Sequence, residues 1–230
     1  MWTELFVYTS VCWQIGILCV LSYHYMKIIK KENLDIVSLV NDLKNGATLV
    51  YPTETCYGLG CDANNSEALE KIFQIKNRQK SKSVLVVVSD LAMILPCIEW
   101  NPTLQKLADK YWPGPLTLVV KVKAVCHLPA GVINEDGTIA FRVTEHYLAS
   151  EISKQLNSPL VSTSANISSL ESPYDIESVL KMFENEEIKP DIIIDAGTLP
   201  NKSSSTIVKV VGENIEVLRQ GGVIVSLNDN

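Results

Sequence analysis

Short runs rich in β-branched residues recur along the chain, and stretches of helical periodicity lie between them. The runs are ATLVY (47–51), SVLVVV (83–88), LTLVVKV (116–122), TIAFRV (138–143), PLVST (159–163), DIIID (191–195), TIVKV (206–210) and IEVLR (215–219). Between the strands, Ile36, Leu39, Val40 and Leu43 fall at i, i+3, i+4 and i+7 with Gly46 as a stop, which predicts a first amphipathic helix. A second helix starts near Ser66, a third is capped by Asn101 ahead of Pro102 and runs to about Tyr111, and another spans 145–156. Near-continuous apolar strands alternating with helices predict an α/β (α+β) domain: a twisted, largely buried mixed sheet flanked by helices. At 230 residues and 47% hydrophobic, the chain is long enough to bury such a core.

Charge narrows the partners. With 26 acidic against 20 basic residues, the formal net charge is -6, so no global cationic field exists to hold nucleic acid or an anionic membrane, and stable DNA binding is not expected. Any basic site must be local. The six cysteines (Cys12, Cys19, Cys56, Cys61, Cys97, Cys126) form no CxxC pair and the histidines (His24, His127, His146) are scattered, so no zinc site, redox motif or other protein metal-ligand set is indicated. Reduced thiols and a cytoplasmic location follow as the expectation.

Residues 1–25 stand apart. LFVYTSVCWQIGILCVLSY (5–23) carries no charge and nearly reaches the ~20 residues of a membrane helix. Only Glu4 precedes it while Lys27, Lys30 and Lys31 follow, and no small-x-small cleavage site is evident. Two readings stay open: an upstream extension outside a domain that begins at Met26, or an anchor that leaves residues 26–230 cytoplasmic.

Four features resist a purely structural reading. On the second helix Leu69, Ile72 and Phe73 make the core stripe, and the next position on it is Lys76, with Arg78 just beyond. A cation there suits the helix macrodipole or a functional anion equally. In TIAFRV, Thr138, Ala140 and Arg142 share one face, and Arg142 calls for a fixed anionic partner, whether a rim ion pair or a ligand. YPTETCYGLG (51–60) is a hydroxyl- and glycine-rich loop at the carboxyl end of a strand, where ligands collect in open α/β sheets. Neither GxxxxGK[ST] nor GxGxxG is present. Likewise, PLV at 159–161 turns abruptly into Ser162, Thr163, Ser164, Asn166, Ser168 and Ser169. From these residues alone the inference is a polar ligand site with anion-binding groups.

Taken in order, YPTETCYGLGCDA, IKNR (75–78), WPGPLTLV (112–119), FRV (141–143), STSANIS (162–168), SSTIV (204–208) and LRQGG (218–222) resemble the YrdC-like family of threonylcarbamoyl-AMP synthases, over about residues 26–230. The resemblance implies a single YrdC-like domain with a large concave cavity. It implies synthesis of threonylcarbamoyl-AMP and pyrophosphate from L-threonine, bicarbonate or CO2, and ATP, by a nucleotidyltransferase reaction with Mg²⁺. The product would pass to a downstream tRNA threonylcarbamoyl transferase complex that modifies the adenosine beside the anticodon, so any contact of this chain with tRNA is indirect or weak. The extra C-terminal domain of longer family members is not expected after LRQGG.

Residue by residue, the family's KxR and SxN pairs fall on Lys76, Arg78, Ser164 and Asn166, which the resemblance makes the catalytic tetrad. Thr55, Arg142, Ser162 and Ser205 match threonine contacts, with Arg142 on the carboxylate; Arg78, Lys82, Thr138, Ser164, Ser172 and Arg219 match ATP contacts. Lys76→Met would then spare the fold and abolish turnover. Departures are Gln79 and Gln220, where proline is common, and Lys82, where asparagine is common. Rival classes are a double-stranded RNA-binding module, which the net charge disfavours, and a carbamoyl-transfer domain like that of hydrogenase-maturation proteins, whose zinc-finger and acylphosphatase segments are missing. A secreted glycoprotein is a third, from the sequons at Asn64, Asn166 and Asn201.

Overall fold

In a computed structural model that describes residues 26–80 and 82–226, the β-branched runs become strands of two mixed sheets rather than one. The five-stranded sheet has the order β1 (Lys27–Lys30), β9 (Ile192–Asp195), β2 (Leu49–Pro52), β3 (Tyr57–Gly60), β8 (Thr163–Ser164). The six-stranded sheet has the order β11 (Asn214–Arg219), β10 (Thr206–Val211), β5 (Leu116–Lys121), β6 (Thr138–Val143), β4 (Val86–Val88), β7 (Leu160–Val161). β1–β9, β2–β9, β5–β10 and β4–β6 are parallel, and the other neighbouring pairs are antiparallel. The helices are α1 (Ile36–Lys44), α2 (Ser66–Ile75), α3 (Pro102–Tyr111), α4 (Tyr147–Leu156) and α5 (Ile176–Phe183).

Caps set the helix boundaries. Asp35, Asn65, Asn101 and Asp175 each accept a backbone N–H of the first turn, satisfying donors a helix cannot satisfy internally. The strand period then sorts side chains between two cores. Val50 and Ile193 join the larger cluster with α2, α3 and α5, while Leu49, Tyr51, Ile192 and Ile194 point the other way, onto α1 and α4.

PLVST is where the two-sheet arrangement shows most clearly. Leu160 and Val161 pair with β4 in one sheet, and two residues later Thr163 and Ser164 pair with β3 in the other. At this crossing the chain presses on β3: a Cβ on Gly60 would sit 2.0 Å from the Val161 carbonyl oxygen. The leader at 5–23 lies outside the described residues, and among those described no helix is long and apolar enough to cross a membrane.

Gly60→Ala should therefore cost about 3 kcal/mol or more, because the clash is with backbone and no rotamer relieves it. Gly197→Ala, at φ +68 with nothing within 4 Å, serves as the control, and should cost only about 1 kcal/mol. Urea unfolding of the two variants checks the order.

Candidate active site

The site begins where α2 ends. Asn77 takes φ 47, a left-handed turn that Asn tolerates, and so separates the two basic residues of the KNR stretch. Lys76 stays on the core stripe at 2% exposure while Arg78 turns outward, its N–H bonding back to the Phe73 carbonyl at 3.0 Å. The Lys76 ammonium is held by the turn after β8: Nζ donates to Ser164 O at 2.5 Å, to Asn166 O at 2.7 Å and to Asn166 Oδ1 at 3.3 Å. The Ser168 N–H closes the junction on Lys76 O at 2.8 Å. Asn166 is itself fixed, accepting from Ser164 Oγ at 2.5 Å and donating to Ile167 O and Leu170 O. Three members of the expected tetrad thus form one hydrogen-bonded unit.

Burial lowers the Lys76 pKa to about 8, with the charge of Arg78 adding to the effect and Cys56 opposing it. The carbonyl acceptors favour the ammonium, so Lys76 is a cation at neutral pH.

Arg78, the fourth member, grips its own loop, donating from Nε to Lys82 O at 2.9 Å and from Nη2 to Ser83 O at 2.8 Å. Ser83 Oγ bonds Asn134 Oδ1, and Asn134 Nδ2 donates to Thr138 Oγ1 at 3.0 Å. Thr138 also donates to Asp136 at 2.6 Å. Arg78 and Thr138 are therefore linked, and Lys82 joins them through its carbonyl while the residue itself is exposed.

Opposite, the C-terminal motifs lock together. Thr117 of β5 donates to Ser205 Oγ at 2.9 Å, and Arg219 donates to Ser205 O from Nε at 3.2 Å and from Nη2 at 2.8 Å. Thr206 Oγ1 accepts from the Gly221 and Val223 N–H groups. Gly221 has no room for a side chain, since a Cβ would lie 2.1 Å from Ser204 O. These contacts explain why SSTIV, PLTLV and LRQGG occur together.

The loop between β2 and β3 lies between these groups. Thr53 Oγ1 organises it, accepting from the Thr55 and Cys56 N–H groups at 3.1 and 3.3 Å and donating to Cys56 O at 2.7 Å. Thr55 Oγ1 lies 3.1 Å from Thr53 Oγ1. Cys56 is the common neighbour: burial raises its thiol pKa, against hydrogen bonds from Thr55 and Ser172 and the charges of Arg142 and Lys76. Arg219 feels both Cys56 and Arg142. The charges of three cations from distant parts of the sequence thus act on one short loop. Ser162, buried at the sheet crossing, bonds to Leu85 O through its N–H and lies beside the Tyr51 hydroxyl.

Arg142 is no rim residue. Its side chain is 4% exposed, as is that of Glu54, and Nε lies 2.8 Å from Glu54 Oε1. The N–H is not aimed along that line, so the contact is a charge pair rather than an aligned hydrogen bond. Glu54 and Cys56 carry no role in the sequence reading, where only the hydroxyls and glycines of this loop count; a carboxylate inside a hydroxyl-rich loop is the signal that finds them. Beside them a cleft of about 280 Å³ is lined by Glu54, Thr55, Pro115, Glu145, Lys202, Ser203 and Gly222. A more open hollow of about 810 Å³ lies elsewhere, against Met26, Leu180, Lys181, Glu184 and Lys189, and gathers none of these groups.

Residues 41–221 match the model of the Sua5/YciO/YrdC family, which carries the description "Telomere recombination". The chain is 32% identical over 193 residues, 83% of its length, to the whole of a threonylcarbamoyl-AMP synthase of Aliivibrio fischeri. It superposes on P. abyssi Sua5, solved in complex with L-threonine, with a TM-score of 0.75 and 27% identity, over 86% of this chain and 58% of that one. The chain thus spans under three-fifths of that protein. E. coli YciO shares the fold, with a TM-score of 0.75 at 24% identity over 88% of this chain and 98% of that chain.

The geometry corrects the expectation that Lys76→Met would spare the fold: the change removes the donor from two buried carbonyls and should lower stability by about 2–4 kcal/mol in addition to any effect on chemistry. The pH dependence is specific. The folded protein releases the Lys76 proton near pH 8 and the unfolded chain near 10.5, so the burial penalty is present below pH 8 and eases as pH rises toward 10.5. Urea midpoints should show the gap between wild type and Lys76→Met widening over that window; coincident midpoints at all pH values would contradict the geometry.

Proposed function

The chain belongs to the Sua5/YciO/YrdC family, and on that basis we propose that it is an L-threonylcarbamoyladenylate synthase whose catalytic unit is residues 26–230. The observation that carries the site assignment is the pairing of Arg142 with Glu54 of the 53–56 loop at 2.8 Å, where the charges of Lys76 and Arg219 also act on Cys56. An acidic protein that gathers cations from three separate motifs in one place is equipped to hold two anionic substrates together.

The reaction is a nucleotidyl transfer. The threonine amine attacks CO2 or dehydrating bicarbonate to give a carbamate. A carbamate oxygen then attacks the α-phosphorus of ATP, the bond from that phosphorus to the α,β-bridging oxygen breaks, and pyrophosphate leaves with the electron pair. No protein nucleophile takes part, and burial keeps Cys56 a protonated thiol. The chain's work is positioning and charge dispersal. Arg142 takes the threonine carboxylate, with Thr55, Ser162 and Ser205 around the amino acid. Arg78, Lys82, Thr138, Ser172 and Arg219 take the nucleotide. Lys76, held in the Ser164–Asn166 turn, supplies fixed positive charge where negative charge grows. Mg²⁺ enters as part of the MgATP substrate, bridging phosphate oxygens as in other phosphoryl-group chemistry. The product passes to a separate transferase that acts on tRNA, which fits a chain of net charge -6.

Pyrophosphate release should require ATP, bicarbonate and an amino acid, with threonine giving the largest rate of the common set. Equal release with no amino acid present would remove the assignment.

A further inference from the structure

Arg142 is bound in an unusual way for a buried arginine, by its side rather than its end. Its one ion pair runs through Nε to Glu54 Oε1 at 2.8 Å, and none of the described residues accepts a hydrogen bond from Nη1 or Nη2. The other oxygen of Glu54 accepts from Thr144 Oγ1 at 3.0 Å, and that hydroxyl accepts the His146 N–H at 3.2 Å. Arg142 and Thr144 are two apart along one extended segment, so both partners of the carboxylate reach it from the same face. Glu54 comes from the 53–56 loop, whose backbone Thr53 ties down. The carboxylate is therefore hydrogen-bonded at Oε2 and held against the guanidinium at Oε1 by charge alone.

The choice of nitrogen matters. A carboxylate meeting both terminal nitrogens would occupy the fork that recognises carboxylates in bidentate fashion. Lying against Nε instead, as a charge pair and not as an aligned hydrogen bond, Glu54 leaves the four terminal N–H donors clear of itself. Other groups around the pair do not substitute for Glu54. Tyr51 and Cys56 are buried with raised pKa values, His146 is kept neutral mainly by burial, and Arg219 repels Arg142. Burial pushes the Glu54 carboxyl up, but the Arg142 charge, its own backbone N–H and the Thr144 hydroxyl outweigh it and hold the group below its ordinary value. Glu54 is thus a permanent counter-charge.

We infer that Glu54 is a positioning residue for amino-acid recognition: clamped by Thr144, it holds Arg142 through Nε so that the terminal nitrogens form a preset fork for the substrate α-carboxylate. This rests on the reading above that Arg142 takes that carboxylate. Nothing in the role requires Glu54 to touch ATP, so the effect falls on one substrate only.

The test is steady-state kinetics of Glu54→Gln, Arg142→Lys and the double variant, with threonine and ATP varied separately. Glu54→Gln should raise the threonine KM by about tenfold or more while the ATP KM stays within about twofold, since the buried charge pair that orients Arg142 is lost. Arg142→Lys should raise the threonine KM as well, and adding Glu54→Gln to it should change that KM by less than about twofold, because positioning acts only through the guanidinium. A raised threonine KM in Arg142→Lys with an unchanged one in Glu54→Gln overturns the positioning role and leaves the Arg142 reading standing. An unchanged threonine KM in Arg142→Lys overturns the reading and the inference together. Fully additive effects, or equal shifts in both substrates' KM, also overturn it. Should Glu54→Gln fail to fold, Thr144→Val loosens the same carboxylate from its far side and should raise the threonine KM severalfold; no change would count against the inference.

Discussion

A single buried ammonium joins the parts on which the site depends. Lys76 closes α2, and its nitrogen holds the backbone of the turn that follows β8, so the helix and the sheet crossing cannot move independently. Burying a charge is costly unless it is paired and hydrogen-bonded. Here the compensation comes from carbonyl dipoles, not from a carboxylate. The charge is therefore satisfied without being neutralised, and its field remains available to an anion nearby. A Lys–Glu pair in the same place would have been quieter electrostatically and of less use.

The second constraint is the crossing itself. Moving from the six-stranded to the five-stranded sheet at Ser162 brings the chain hard against Gly60 and places Ser162, Ser164 and Asn166 on the same short path. The 53–56 loop is then confined between this path and the SSTIV–LRQGG assembly. Arg142 reaches the loop from β6, where WPGP fixes the neighbouring backbone: the Gly114 N–H bonds Val143 O at 3.0 Å, and Trp112 Nε1 donates to Leu116 O at 2.6 Å. Motifs scattered over most of the chain thus share one physical purpose, holding short polar segments where two sheets meet.

Much of this was legible beforehand, and what was not has identifiable causes. Periodicity located α1, α2, α3 and α4, and it put Lys76 on a core stripe where the side chain is indeed buried. TIAFRV became β6 residue for residue. The YGLG half of YPTETCYGLG reads as loop because two glycines weaken a strand signal, yet it forms β3, and Pro52 pairs with Tyr57 one residue beyond the ATLVY run. PLVST reads as one strand because periodicity cannot report a change of sheet. The short β1 and α5 carry too few residues to stand out. Arg142 read alone suggested a rim ion pair; its buried partner Glu54 is nearly ninety positions away, a pairing that only tertiary structure creates.

The central claim is that this site joins three substrates into one adenylate. The most direct measurement is 13C and 31P NMR of the products formed from 13C-bicarbonate, L-threonine and ATP. The account predicts a labelled carbonyl carbon attached both to the threonine nitrogen and, through oxygen, to the α-phosphate of AMP, with one pyrophosphate released for each. Labelled carbon remaining wholly in bicarbonate while ATP breaks down to ADP and phosphate would contradict it.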